Sequence, residues 1–141
     1  MSFRQALASI SPGIYALSAD QLAALALSLH SGSDGMRQIH FPGCRNITVA
    51  LTHLGHALNF PDWYGNNLDA LMDCLCDPDV LAPSMKILLL TGLTNIHSPK
   101  GKLQALGEVL GEAAAERARN NMALYILCGE PLPGIPPLPL P

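Results

Sequence analysis

Apolar residues follow two rhythms along this chain, a helical repeat of about 3.6 and short continuous or alternating runs, and the two take turns. A β-like run over residues 13–17 precedes Ser18, a candidate N-cap, after which Leu22, Leu25, Ala26 and Leu29 share one helical face. The turn-rich Ser31-Gly32-Ser33-Asp34-Gly35 reads as a linker, and residues 37–41 alternate like a strand that stops at Pro42-Gly43. Ile47, Leu51, Leu54 and Leu58 make the apolar stripe of a helix that Asn46 could cap and that ends before Pro61. Leu68, Leu71, Met72 and Leu75 define the next helix, with Asn66 or Asn67 as cap and the Asp77-Pro78 break behind it. Residues 85–91 are a continuous apolar run, as in a strand buried on both faces. Ser98-Pro99 reads as N-cap and first helical residue of a helix through Leu103, Leu106 and Leu110 to Arg119, and Asn120-Asn121 turns the chain into a last strand over 122–128.

Strands alternating with helices predict an α/β fold, a small parallel sheet packed by helices, with an extra N-terminal strand-helix unit. The expected organisation is an extension over residues 1–35, a principal domain over 36–129 and a tail over 130–141. That tail holds six prolines in twelve residues, and the expectation is that it is disordered or polyproline II and neither joins a sheet nor buries much surface. At 141 residues and 49% hydrophobic composition, the chain is long enough for one buried core and too short for two ordinary domains.

Charge narrows the function classes. Eight Lys and Arg against 11 Asp and Glu give a net charge of −3, so there is no basic footprint for direct binding of nucleic acid. No apolar run reaches membrane-spanning or signal-peptide length, because Pro12, Gly13 and Asp20 interrupt the first candidate; a cytoplasmic protein with reduced cysteines and no membrane association is expected. Between Arg45 and Lys86 there is neither Lys nor Arg, whereas Asp62, Asp69, Asp73, Asp77 and Asp79 all fall there. Asp69 and Asp73 stand one helical turn apart on the same face, beside the apolar stripe. Asp69 suits the positive end of its helix dipole; Asp73, a turn later, does not, so the pair is prepared for an external cation. Trp63 and Tyr64 just before it, on a turn fixed by Pro61 and Gly65, would supply aromatic contact area.

The run from Phe60 to Leu75, with its proline, two aromatics, Gly65-x-Asn67 and Leu68-Asp69-Ala70-Leu71 followed by Asp73, resembles the signature of the barstar family. A weaker resemblance in element order extends from about Met36 to Cys128. The resemblance implies a stoichiometric inhibitor of a microbial ribonuclease, not an enzyme, whose acidic helix and preceding loop occlude the enzyme's active site. It implies that Asp73 is the main anion, Asp69 its partner and Trp63 the ring that packs on the enzyme's histidine, while Gly65 and Asn67 shape the loop. Met72 stands where the family commonly has tryptophan, and Trp63 where tyrosine or phenylalanine is usual. The family's further glutamate, on the following long helix, corresponds to Glu112 or Glu116. The nuclease could equally be a secreted or toxin ribonuclease for which this chain is the immunity protein.

Other signals assemble no catalytic or cofactor site. His53 and His56 lack a second pair of metal ligands and read as surface histidines, and Cys74 and Cys76 are too close for a standard zinc pair. Gly107-x-x-x-Gly111 reads as close packing of a helix on the sheet. Two alternatives remain: an interaction module acting through the proline-rich tail, or an enzyme using Asp69 and Asp73 as acid and base.

Overall fold

The computed structural model describes residues 3–29 and 35–140. Five α-helices, α1 (Phe3–Leu7), α2 (Ala19–Leu29), α3 (Ile47–Ala57), α4 (Leu68–Cys76) and α5 (Lys100–Arg119), accompany four strands, β1 (Gly13–Ala16), β2 (Met36–His40), β3 (Ile87–Thr91) and β4 (Tyr125–Cys128). The strands form one parallel sheet in the order β1-β4-β3-β2, the α/β architecture expected from the alternation. A short 3-10 turn, Leu93–Asn95, follows β3. The expected linker falls outside the described residues except for Gly35, whose carbonyl accepts from the amides of Lys86 and Ile87 at the start of β3.

Period-2 alternation divides the two central strands between two cores. Leu88, Leu90, Ile126 and Cys128 join Ile39 and Ile14 against the apolar faces of α3, α4 and α5. Ile87, Leu89, Tyr125 and Leu127 face the other way, against Leu7 of α1, Leu25 of α2 and Leu138 of the tail. Both faces are therefore covered, which is why β3 and β4 read as unbroken apolar runs.

Caps fix the helix starts. The Ser18 hydroxyl accepts from the Gln21 amide at 3.1 Å while the Gln21 side-chain oxygen accepts from the Ser18 amide at 2.9 Å, a reciprocal capping box. Asn46 accepts from the Val49 amide at 3.0 Å, as its position before α3 suggested. The start of α5 lies one residue later than the Ser98-Pro99 reading, because Pro99 is the cap and acts through its carbonyl, which accepts from the Lys102 amide. Gly111 and Gly107 do permit close packing: a Cβ on Gly111 would stand 3.1 Å from Ile14 of β1, and one on Gly107 would stand 3.0 Å from Ile135 of the tail.

That last contact corrects the expectation for the tail, which does bury surface and does join the sheet edge. The Ala16 amide donates to the Pro136 carbonyl and the Leu138 amide donates to Ala16, both at 2.8 Å. Gln21 then donates through Nε2 to the carbonyls of Leu138 and Leu140. Leu132 and Leu138 are buried. Proline removes donors but leaves carbonyls, and two leucines spaced among prolines suffice to anchor the strap; the prolines stop a further strand from adding beyond it. We expect Leu138→Ala to lower the urea-unfolding free energy by about 2–4 kcal/mol, and Gln21→Ala by about 1 kcal/mol. Unfolding curves that match the parent chain for both variants would show that the strap contributes nothing.

Candidate functional site

The acidic helix is aimed by the residues before it. Asn67, in an extended conformation, accepts from the Ala70 amide at 2.8 Å and is the N-cap of α4; Asn66 takes the left-handed conformation (φ 54°) that turns the chain into it. Gly65 leaves room for the cap, since a Cβ there would stand 2.8 Å from Asn67 Nδ2. Leu71, Cys74 and Leu75 are fully buried on the inner side of α4, with Leu68 and Met72 half-buried at its margins. This stripe sets the rotation of the helix, and Asp69 and Asp73 are left on the exposed side.

Neither carboxylate makes a hydrogen bond or ion pair among the described residues, where the Arg119–Glu116 pair is the salt bridge found. Lys102 shares a surface depression with Asp69 and Asn67 without closing a pair. Burial pushes the Cys74 thiol up to about 11, and the Asp73 and Asp77 carboxylates add to the shift. All four cysteines are free.

The two aromatics point in opposite directions. Trp63 is 55% exposed, one of the most exposed large apolar side chains, whereas Tyr64 is 8% exposed. The Tyr64 hydroxyl donates to the Leu51 carbonyl at 2.8 Å, and its ring meets Phe60 edge-on at 4.9 Å. Burial pushes its phenol pKa upward, with a smaller contribution from Cys74. Tyr64, expected as a contact ring, is instead turned inward and anchors the loop, and Trp63 is the exposed ring of the two. Gly55 makes that anchorage possible, because a Cβ on it would come within 2.6 Å of the Tyr64 ring.

On α5, Glu116 is bonded to Arg119 and Asn120, and the Arg119 guanidinium holds its carboxyl below the usual carboxylate range. The Cys76 thiol lies in the field of both Glu116 and Asp73, so these two acids flank the same α4–α5 seam. Glu112 is exposed and unpaired among the described residues.

Sequence reasoning missed Arg117, the largest fully buried side chain, at 0% exposure. Its Nη1 donates to Leu75 at 3.0 Å and Leu81 at 2.9 Å, and its Nη2 to Ala82 at 2.9 Å. Burial lowers its pKa, opposed by Cys76, yet a guanidinium starts so high that it stays charged. It thus places a cation at the carbonyl end of α4 and ties that end, with the following loop, to α5. The available signal was its spacing from Leu110, Ala113 and Ala114, which puts it on the apolar face. His53 was likewise read as a surface residue, but its Nε2 donates to the His40 carbonyl at 2.8 Å and its ring packs near Phe41.

A parallel α/β sheet covered by helices and fronted by an outward-facing acidic helix is the class of protein that this geometry defines. The chain belongs to the barstar family: the family model described as Barstar (barnase inhibitor) matches residues 36–128. A curated relative, "Putative ribonuclease inhibitor YrdF" of Bacillus subtilis (strain 168), is 52% identical over 42 residues, a stretch covering 28% of this chain and 46% of that protein. This chain therefore spans about half the length of the curated relative it matches. Among the described residues no helix is long and apolar enough to cross a membrane.

Two variants test how the helix is held. Arg117→Met removes the cation and leaves the Leu75 and Leu81 carbonyls without their donor, while Ala82 keeps the Met85 amide, so a loss of about 3 kcal/mol is expected in urea unfolding. Gly55→Ala should push the Tyr64 ring and its loop outward, and because the chain has a single tryptophan, Trp63 fluorescence reports the shift directly. An emission spectrum identical to that of the parent would show that the loop does not depend on this contact.

Proposed function

We propose that this chain is a stoichiometric inhibitor of a microbial ribonuclease, and that α4 with the preceding loop enters the enzyme's active site as a substitute for RNA phosphate. The single observation that carries the proposal is that Asp69 and Asp73 stand exposed one turn apart and form no ion pair among the described residues, beside the exposed Trp63. A ribonuclease active site is a concave cluster of cations. An anionic convexity of fixed shape is drawn to it at long range and then held by charge pairs that lose their water on docking. Family membership and the name of the curated relative support the same reading.

In this reading Asp73 meets the enzyme's cations, Asp69 supports it, Trp63 packs on a ring or aliphatic surface of the enzyme, and Met72 fills the margin between them. Gly65 and Asn67 act by shaping the loop. Glu116 extends the anionic strip across the α4–α5 seam, exchanging its exposed partner Arg119 for one on the enzyme at small cost, since such surface pairs stabilise little. Glu112 lies one turn earlier on α5 and contributes to the field. The chain acts in the cytoplasm, where it protects the cell that makes the nuclease. The presence of Trp63 and Met72 at positions where the family commonly carries other rings favours a nuclease other than barnase, such as a toxin ribonuclease paired with this chain as its immunity protein. Acid–base catalysis by the same two aspartates is disfavoured, because an open helix face lacks the walls that exclude water and position a substrate.

The purified chain should stop RNA cleavage at equimolar ratio when titrated against barnase and a panel of secreted and toxin ribonucleases. Asp73→Ala should weaken the inhibited complex by at least about 2 kcal/mol, on the hot-spot scale to which the barnase–barstar complex itself contributed. Added salt should slow association. Inhibition that is absent throughout the panel, or that survives Asp73→Ala unchanged, would overturn the proposal.

A further inference from the structure

Beside the Trp63 loop, between the end of α3 and residues 59–66, lies a second concave surface, a cleft of about 440 Å³. Thr52, His56, Asn59, Asp62 and Asn66 line it over a floor that includes Tyr64. None of its lining residues is Lys or Arg. The side chains of His56, Asn59, Asp62 and Asn66 make no hydrogen bond or ion pair among the described residues. The Thr52 hydroxyl spends its proton on the Thr48 carbonyl at 2.9 Å, which leaves its oxygen as an acceptor.

The one carboxylate lining the cleft is that of Asp62, and the Asn59 and Asn66 carboxamides, not held by other bonds, are free to turn their oxygens toward a donor. One carboxylate, two amide oxygens and a hydroxyl oxygen surround a space at the carbonyl end of α3, whose dipole favours a cation. Arg37 already answers part of that end, donating to the Ala57 carbonyl at 2.7 Å, but it is not among the residues lining the cleft. Asn59 and Asn66 both sit in the left-handed conformation (φ 55° and 54°), so backbone turns set the places of these two residues in the cleft lining. The cleft is also continuous with the acidic helix, since Asn66 lines both it and the depression that reaches Asp69.

We infer that this cleft is a specificity pocket that receives one basic side chain, best an arginine, from the ribonuclease docked on α4. The inference rests on the function proposed above. An arginine outside the enzyme's catalytic groove would enter past Trp63, set its fork on the Asp62 carboxylate and share the amide oxygens of Asn59 and Asn66. The catalytic cations common to such enzymes would then be read by Asp69 and Asp73, and a residue peculiar to one enzyme by Asp62 and Thr52. That division separates affinity shared across ribonucleases from preference for one of them.

The test uses the full chain against the ribonuclease of the panel that it inhibits most tightly, barnase included, with association and dissociation rates measured separately. Asp62→Asn and the uncharged, isosteric Thr52→Val are compared with Asp73→Ala, each first shown to unfold like the parent. A filled pocket predicts dissociation about tenfold faster for Asp62→Asn and severalfold faster for Thr52→Val. A change confined to the association rate of Asp62→Asn, with Thr52→Val silent, would make Asp62 part of the general field and overturn the pocket. Loss of inhibition in Asp73→Ala with both cleft variants unaffected overturns the pocket and leaves the proposed function standing. A parent chain that inhibits none of the enzymes overturns both.

Discussion

The position of α4 depends on a charge that never reaches solvent. Arg117 lies at the seam of α4 and α5 and donates through its two Nη groups to the carbonyls of Leu75, Leu81 and Ala82, at a helix end and the loop after it, while its Nε is buried without a hydrogen-bond partner among the described residues. No acidic partner is involved among the described residues. A buried cation held only by carbonyls and a helix dipole is tolerable because a guanidinium distributes its charge over several planar donors. A lysine would place a compact charge there with fewer and less divergent bonds. The consequence for the site is directional: the acid-bearing helix is held from its C-terminal end by Arg117 and from its N-terminal end by the Asn67 cap.

Between those two anchors, rotation is fixed by packing. Leu71, Cys74 and Leu75 are at 0% exposure, so turning α4 far enough to bury either aspartate would bring these residues into water, at about 2 kcal/mol for each leucine exposed. The loop obeys a similar logic. Tyr64 fills the space that Gly55 leaves and hydrogen-bonds to Leu51, and its amide closes a turn on the Pro61 carbonyl at 2.9 Å, so the residue at the crest of that turn, Trp63, stays exposed. The presentation of Trp63, Asp69 and Asp73 is therefore a product of core packing and capping, made before any partner arrives. Preorganisation of this kind limits the ordering that binding would otherwise require.

Much of this was legible in the sequence because the signals were local. Helical spacing located α3, α4 and α5; the apolar runs located β3 and β4; Asn46 and Ser18 were recognisable as caps from their place before apolar stripes. For α4 the sequence left Asn66 and Asn67 open, and geometry divides the tasks, a left-handed turn at one and the cap at the other. Features that depend on distant partners were not legible. The inward turn of Tyr64 requires Gly55 and Leu51, and the ordering of the tail requires β1, Gln21 and Ile14's neighbour Gly111 on α5. Composition gave the wrong answer for the tail because prolines announce the loss of amide donors and say nothing about carbonyls that another strand can use. Five-residue α1 is too short for a periodic pattern to reveal.

Asp73 is the residue that the fold itself explains least. It repels Asp69 across one turn, an unfavourable term of about 0.2–0.5 kcal/mol, and it lies toward the negative end of α4, where an anion is disfavoured again. It also raises the pKa of the thiols of Cys74 and Cys76, which are held in their uncharged form chiefly by burial. The nearby Arg117 cation relieves part of this field at Cys76 and forms no ion pair with the carboxylate among the described residues. An internal salt bridge would have removed the strain and, with it, the free charge. What remains is a carboxylate left exposed and unpaired among the described residues on a helix whose rotation its buried stripe fixes, a combination that lowers the stability of the free protein slightly and that, under the proposed function, a cation of the enzyme would offset.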